Sequence, residues 1–294
     1  MNDWDPGLQP SEAIDITAPM ERTPLTPPVN VTPAQYALVH HAARSVLGCV
    51  REHNEDKYEC RLARRAADVA LRGHLFVVCD GMGGHSAGQI ASEVATVRFS
   101  DALYDSAATE PVGALRDAGR AAAQAVHARR GHGDMGTTLT AALVTPDGAW
   151  IAHIGDSRCL LVRGDTIQQL TEDHSLVAEQ VRRGLLTAEQ AARSPIRNMI
   201  TRCLGLEPDP AFDIHFQPLE PGDRLLLCSD GLSGLVDPER LLDLASQPDL
   251  SAAVRQMVDA ALDAGGHDNC TVILVEFITR LSWERAVELT LGCT

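Results

Sequence analysis

The chain has no Cys-x-x-Cys pair, no apolar run near the roughly 20 residues that span a bilayer, and no excess of basic residues. The first absence argues against a zinc ribbon or a thioredoxin-like redox motif, and the second against a membrane helix. The third bears on nucleic acid. Lys and Arg number 25 against 40 Asp and Glu, a formal charge of −15. Binding a phosphate backbone needs clustered cations, so no nucleic-acid partner is expected. Also missing are a Gly-x-Ser-x-Gly elbow and a Cys-x5-Arg phosphate loop. The glycine run Gly81-Met-Gly-Gly84 has neither dinucleotide-binding spacing nor a Gly-Lys-Ser/Thr ending.

Apolar residues make up 45% of the 294, enough for a sizeable core. The eight cysteines are scattered singly, and Cys79, Cys159, Cys228 and Cys270 sit inside apolar runs. There cysteine behaves as a small hydrophobe, and reduced thiols in a cytoplasmic protein are expected. The N-terminus is acidic and proline-rich, the opposite of a secretory signal. Residues 1–38 hold seven of the sixteen prolines and no periodic apolar pattern, which predicts a disordered extension. Thr17, Thr23, Thr26 and Thr32 would be available there as phospho-acceptors, although a plain unstructured terminus is the simpler reading.

Beyond residue 38, strand and helix signals alternate. Continuous apolar runs predict strands at Leu75–Cys79, Thr138–Val144, Trp150–Ile154, Cys159–Val162, Arg224–Ser229 and Cys270–Phe277. Helical spacing marks Ala87–Leu103, Ala114–Arg130, Pro238–Ala245 and Leu250–Ala264. Thr187-Ala-Glu-Gln190 is a capping box that starts a short helix. Strands joined by turns, with helices grouped in pairs, argue for antiparallel sheets covered by helices, an α+β fold. The stretch from Leu281 to Leu291 has helical spacing, so a short C-terminal helical tail is expected over 281–294, packed on a domain running 39–280.

Four Asp-containing segments carry the chemistry: Arg51–Asp56, Leu75–Gly84 with Asp80, Leu225–Gly231 with Asp230, and Gly265–Asn269 with Asp268. An Asp just past a Val/Leu-rich strand lies at the rim of a sheet. Several gathered in one cleft repel one another unless cations lie between them, and hard divalent ions prefer such oxygen ligands. One binuclear metal site is the reading.

Eight strings appear in order over about 235 residues: Arg51-x-x-Asn-Glu-Asp56, Asp80-Gly-Met-Gly-Gly84, Gly136-Thr-Thr138, Ile154-Gly-Asp-Ser-Arg158, Leu170-Thr-Glu-Asp-His174, Asn198-Met-Ile-Thr201, Ser229-Asp-Gly-Leu232 and Asp268-Asn269. Together they resemble the bacterial form of the metal-dependent protein phosphatases of type 2C. The resemblance implies a four-layer α-β-β-α sandwich, two antiparallel sheets flanked by helix pairs, with a flap at about 175–206. It implies a Ser/Thr phosphoprotein phosphatase that attacks phosphoserine or phosphothreonine with a hydroxide bridging two Mn2+ or Mg2+ ions. Asp80 would bridge the ions, with the Gly81 carbonyl, Asp230 and Asp268 as further ligands. Glu55 would hold a metal-bound water, Asp56 would orient the nucleophile, and Arg51 would bind the phosphate. Asp156 would hold a third ion with Asp230. Phosphorylated proteins and a cognate Ser/Thr kinase are the implied partners, and a monomer is expected.

Two positions depart from the wider family. Met82 stands where eukaryotic members carry a His proposed to protonate the leaving group, and Met transfers no proton. Ser194 stands where many bacterial members have His. His85 is a weak substitute acid, His153 reads as strand-buried, His174 as a turn or packing residue, and His40-His41 as preceding the fold. Arg182, Arg183, Arg193 and Arg197 in the flap fit phosphate recognition and a solvated helix face equally. A non-catalytic phosphoprotein-binding module and another two-metal hydrolase, such as a nuclease, remain the competing functions.

Overall fold

In the computed structural model the residues described are 35–290, apart from 66–67, 70–71, 84–86 and 131–134. The first strands are β1 (Gln35–Val46), β2 (Asp56–Arg61) and β3 (His74–Met82), followed by helices α1 (Ala87–Asp105) and α2 (Pro111–Arg129). Then come β4 (Gly136–Thr137), β5 (Leu139–Thr145), β6 (Gly148–Ile154), β7 (Arg158–Arg163) and β8 (Thr166–Gln169). Two short helices, α3 (Leu176–Arg182) and α4 (Ala188–Ala192), precede β9 (Asp213–Pro218) and β10 (Arg224–Cys228). The chain ends through α5 (Asp230–Ser233), α6 (Pro238–Ala245), α7 (Leu250–Asp263), β11 (Cys270–Ser282) and α8 (Trp283–Thr290).

The apolar runs form strands that are buried on both faces. Side chains alternate across a strand, so in β3 Leu75, Val77 and Cys79 face one way and Phe76 and Val78 the other. The first set packs with Phe99 of α1 and Leu115 of α2 in an outer core, and the second lies in the core between the sheets. β10 repeats the arrangement in the other sheet. Leu226 and Cys228 pack under Leu244 of α6 and Met257 of α7, while Leu225 and Leu227 meet Phe76 in the middle. Three apolar cores therefore separate four layers: a helix pair, a sheet, a second sheet and a second helix pair.

One sheet has the order β1-β11-β10-β7-β8 and the other β2-β3-β5-β6-β9, with β4 added beside β3. Every ladder is antiparallel. The expected sandwich is the observed one. The capping box is present too: Gln190 N–H donates to the Thr187 hydroxyl, and the Gln190 side chain accepts from the Thr187 N–H.

Several boundaries differ from the sequence expectation. β1 begins at Gln35, so residues 35–38 belong to the first strand and not to the extension, whose remaining residues 1–34 lie outside those described. His40 and His41, expected ahead of the fold, sit inside β1 opposite Glu276 and Val275. At the other end β11 continues through Ser282, so the tail's first two residues are strand and the helix starts at Trp283. Trp283 and Ala286 pack with Tyr36 in a small fourth cluster, the packing role expected of this segment. No described helix is long and apolar enough to cross a membrane.

Candidate metal centre

The carboxylates converge because β3 and β10, one from each sheet, end side by side at the same edge of the sandwich. Asp80 lies near the end of β3, paired in register with Asp56 at the start of β2. Asp230 follows β10, and Asp268 precedes β11. Each of Asp80 and Asp230 is followed by a glycine at a close crossing of two chains. A Cβ on Gly81 would lie 2.1 Å from the Gly88 carbonyl oxygen, and one on Gly231 1.9 Å from that of Asn269. Real Cβ contacts do not come so near, so only glycine lets these chains cross.

A cavity of about 510 Å3 opens here, lined by Arg51, Glu55, Asp80, Gly81, Asp156, Asp230 and Asp268. Seven of the eight residues singled out from sequence thus share one cavity wall. The eighth, Asp56, is almost wholly buried behind it, with Oδ2 accepting from the Ser229 hydroxyl at 2.7 Å. Glu52, His53, Met82, Gly83, Asn198 and Ile200 complete the lining. His153 is buried in β6, and His85 lies outside the described residues.

Small polar residues hold this framework. Asn269 accepts from the Glu55 N–H at 2.8 Å and donates to the carbonyls of Leu47 at 2.8 Å and His53 at 3.0 Å, pinning the loop that carries Arg51 and Glu55. Thr138 accepts from the Asp80 N–H at 2.9 Å, and Thr137 donates to the Asp80 carbonyl at 2.8 Å. Ser229 accepts from the Thr271 N–H while donating to Asp56. Sequence reading placed Asn269, Thr138 and Ser229 in motifs without giving them work. Their signal was position: each is a short polar residue next to or facing an acidic one.

The electrostatics are lopsided. Burial, reinforced by neighbouring carboxylates, pushes Asp56 up to about 7 and Asp80 well above the usual range. Burial and the charge of Asp230 push Asp156 up to about 7, and burial with Asp268 raises Asp230. One cation touches the cluster: Arg51 Nη2 donates to Asp268 Oδ2 at 2.6 Å from a half-exposed position at the rim. Asp56 Oδ1 and Asp230 Oδ1 are buried with no hydrogen-bond partner. Among the described residues no three His, Cys, Asp or Glu side chains already form a cage around one point. The donor set nevertheless fits hard divalent cations, being all oxygen, anionic and holding two orphaned carboxylate oxygens that need a positive partner.

All four flap arginines are exposed; Arg182 also pairs with Glu172 at 2.5 Å and Arg183 with Glu179 at 3.7 Å. Asn198 and Ile200, just beyond them, reach the cavity wall.

The family model for protein phosphatase 2C matches residues 51–272. The serine/threonine phosphatase Stp of Listeria welshimeri is 36% identical over 247 residues, 81% of this chain and 96% of that protein. The solved structure of serine/threonine phosphatase Stp1 from Staphylococcus aureus superposes with a TM-score of 0.75 at 30% identity, covering 82% of this chain and 96% of that one. The catalytic domain of the serine/threonine protein phosphatase PstP, solved in complex with two manganese ions, gives 0.68 at 34% identity, covering 82% and 98%.

Proposed function

The chain belongs to the protein phosphatase 2C family, and from that premise we propose that it is a serine/threonine phosphoprotein phosphatase working through a binuclear Mn2+ or Mg2+ centre. The observation that carries the reading is the gathering of Glu55, Asp80, Asp156, Asp230 and Asp268 around one cavity with Arg51 at its rim. Asp80, Asp230, Asp268, the Gly81 carbonyl and Glu55 would hold the two ions, and Asp156 with Asp230 a third. Divalent cations so held supply a nucleophile at neutral pH by acidifying water, and Lewis acidity toward the phosphoryl oxygens.

The protein's own groups do the rest. Arg51 turns from Asp268 toward the incoming phosphate, where its planar guanidinium can give two parallel hydrogen bonds. Its loop stays fixed during that turn because Asn269 holds the backbone on either side, at Leu47 and at His53. Asp56 keeps Oδ2 on Ser229, and its unpartnered Oδ1 would be the atom left to orient the attacking water. Met82 has no ionisable group, so the proton for the leaving alkoxide comes from another part of the cavity. Phosphoserine and phosphothreonine are made by kinases, so the enzyme opposes a Ser/Thr kinase. We assign it to the cytoplasm because all seven described cysteines are free thiols.

The test is Mn2+-dependent phosphate release from a phosphothreonine peptide, with Asp230→Asn and a duplex DNA substrate alongside. Release that needs Mn2+ and collapses in the variant, with DNA uncut, supports the phosphatase. A folded, Mn2+-loaded protein that releases nothing points to a binding module, and DNA cleavage to a nuclease.

A further inference from the structure

Asp156 sits in a turn of unusual backbone. Gly155 just before it has φ +114°, and a Cβ there would lie 2.5 Å from Thr138 Cγ2. Both polar atoms of Gly155 are taken by one residue. Its N–H donates to His174 Nδ1 at 3.0 Å, and its carbonyl accepts from the His174 N–H at 2.7 Å. The same residue's carbonyl accepts from the Thr201 N–H at 2.8 Å, next to Ile200 on the cavity wall.

The far side of the ring is anchored as firmly. Because Nδ1 accepts, the neutral ring carries its proton on Nε2, which donates to Asp213 Oδ2 at 2.9 Å. Arg202 binds Asp213 Oδ1 with both terminal nitrogens at 3.1 Å and stands 2.7 Å from His174 Nε2. Two donors meet there because they share one carboxylate. His153 lies against the ring with centroids 4.9 Å apart, its Nδ1 accepting from the Thr140 hydroxyl at 2.9 Å, and the Thr138 and Ser157 hydroxyls are bonded at 2.8 Å. Arg158 is held by Asp173 through three contacts of 2.6–3.1 Å. The turn on which Asp156 rides is therefore gripped before, within and after.

We propose that His174 is a positioning residue for Asp156: its ring, set by Asp213 and Arg202, holds the Gly155 peptide so that the carboxylate points into the cavity for ion binding. The inference rests on the phosphatase reading. A packing histidine would need only bulk at this position, whereas a positioning one needs an acceptor at Nδ1. Two substitutions separate these demands. His174→Asn keeps an acceptor near Nδ1 and loses the bond to Asp213, while His174→Gln keeps a donor near Nε2 and loses the bond to Gly155.

With saturating Mn2+ and a phosphothreonine peptide, His174→Gln should lower kcat about tenfold with KM little changed, as loss of a ligand's supporting bond typically does. His174→Asn should recover most of that loss. Calorimetric titration of the metal-stripped proteins with Mn2+ should find the weakest binding event about tenfold weaker in His174→Gln and near wild type in His174→Asn. Adding Asp156→Ala to His174→Gln should cost little more than Asp156→Ala alone, because coupled residues are not additive. Equal losses in the two His174 variants, losses that multiply with Asp156→Ala, or unchanged kcat and Mn2+ binding with only a lower melting temperature would overturn the proposal. Should the wild type release no phosphate, the phosphatase reading fails, and the titration still reports whether His174 governs ion binding.

Discussion

Two polar clusters meet at the turn between β6 and β7, where His153 of one lies three residues from Asp156 of the other, and they treat charge in opposite ways. In the first, Asp56, Asp80, Asp156, Asp230 and Asp268 gather with Arg51 bonded to Asp268, and two buried oxygens are left without partners. In the second, His153, His174, Arg202 and Asp213 pass hydrogen bonds around until nearly every donor and acceptor is used. Buried polar groups left open destabilise a fold, so an open cluster marks where something external is meant to bind. A closed one stabilises and positions. The contrast separates site from scaffold although both are built from the same kinds of residue.

The largest effect expected is on the open cluster. Asp80→Asn should reduce phosphate release by about a thousandfold or more, since it would remove a shared ligand and not a supporting bond. Arg51→Lys keeps the charge but loses the planar fork, and kcat/KM should fall by about a hundredfold, near 3 kcal/mol. The comparison is sharpest in stability. Without metal, Asp230→Asn relieves repulsion and should raise the unfolding free energy by about 1–2 kcal/mol. Asp213→Ala opens the closed cluster and should lower it by about 1 kcal/mol. Urea denaturation of the two metal-stripped variants checks this pair, and shifts of the same sign would break the distinction.

The smallest effect is on pH dependence, and the two kinds of group again oppose each other. Asp156 is raised in the folded state to about 7, chiefly by burial. The stability associated with its protonated form is therefore present at low pH and lost as pH rises through about 7. Asp156→Asn should accordingly stabilise the metal-stripped protein more at pH 8 than at pH 5. His74 behaves in reverse. Its Nδ1 accepts from the Ala63 N–H, its Nε2 donates to the Ala37 carbonyl, and burial lowers its pKa to about 4. The unfolded chain takes up this proton first, so stability should fall as pH drops from about 6.5 toward 4. Melting temperatures of wild type and His74→Asn across that range should show the slope diminished in the variant.

How much was legible in the sequence follows from burial. All six strands predicted from apolar runs are observed, and all six lie inside their sheets with neighbours on both sides: β3, β5, β6, β7, β10 and β11. The strands without a sequence signal are β1, β2, β8 and β9, which are the four edges of the two sheets, together with the two-residue β4. Edge strands bury less, so β2 reads Asp-Lys-Tyr-Glu-Cys-Arg and β9 Asp-Ile-His-Phe-Gln-Pro, with no run to recognise. Asp80, Asp156 and Asp230 were readable because each stands at the end of a buried strand beside a crowded glycine, whereas Glu55 and Asp56, at the start of an edge strand, were read through the resemblance of their string. The roles of Asn269 and His174 were not legible, although each stands beside an Asp: those roles come from hydrogen bonds to main-chain atoms 216 or 19 residues away, which no local pattern encodes.

The most direct test of the central claim is anomalous diffraction from crystals of the full chain soaked in Mn2+. Two peaks in the cavity, both within ligating distance of Asp80 and flanked by Asp230 and Asp268, are the predicted result. Peaks confined to the surface, or a cavity that stays empty at saturating Mn2+ while the carboxylates keep their present arrangement, would contradict it.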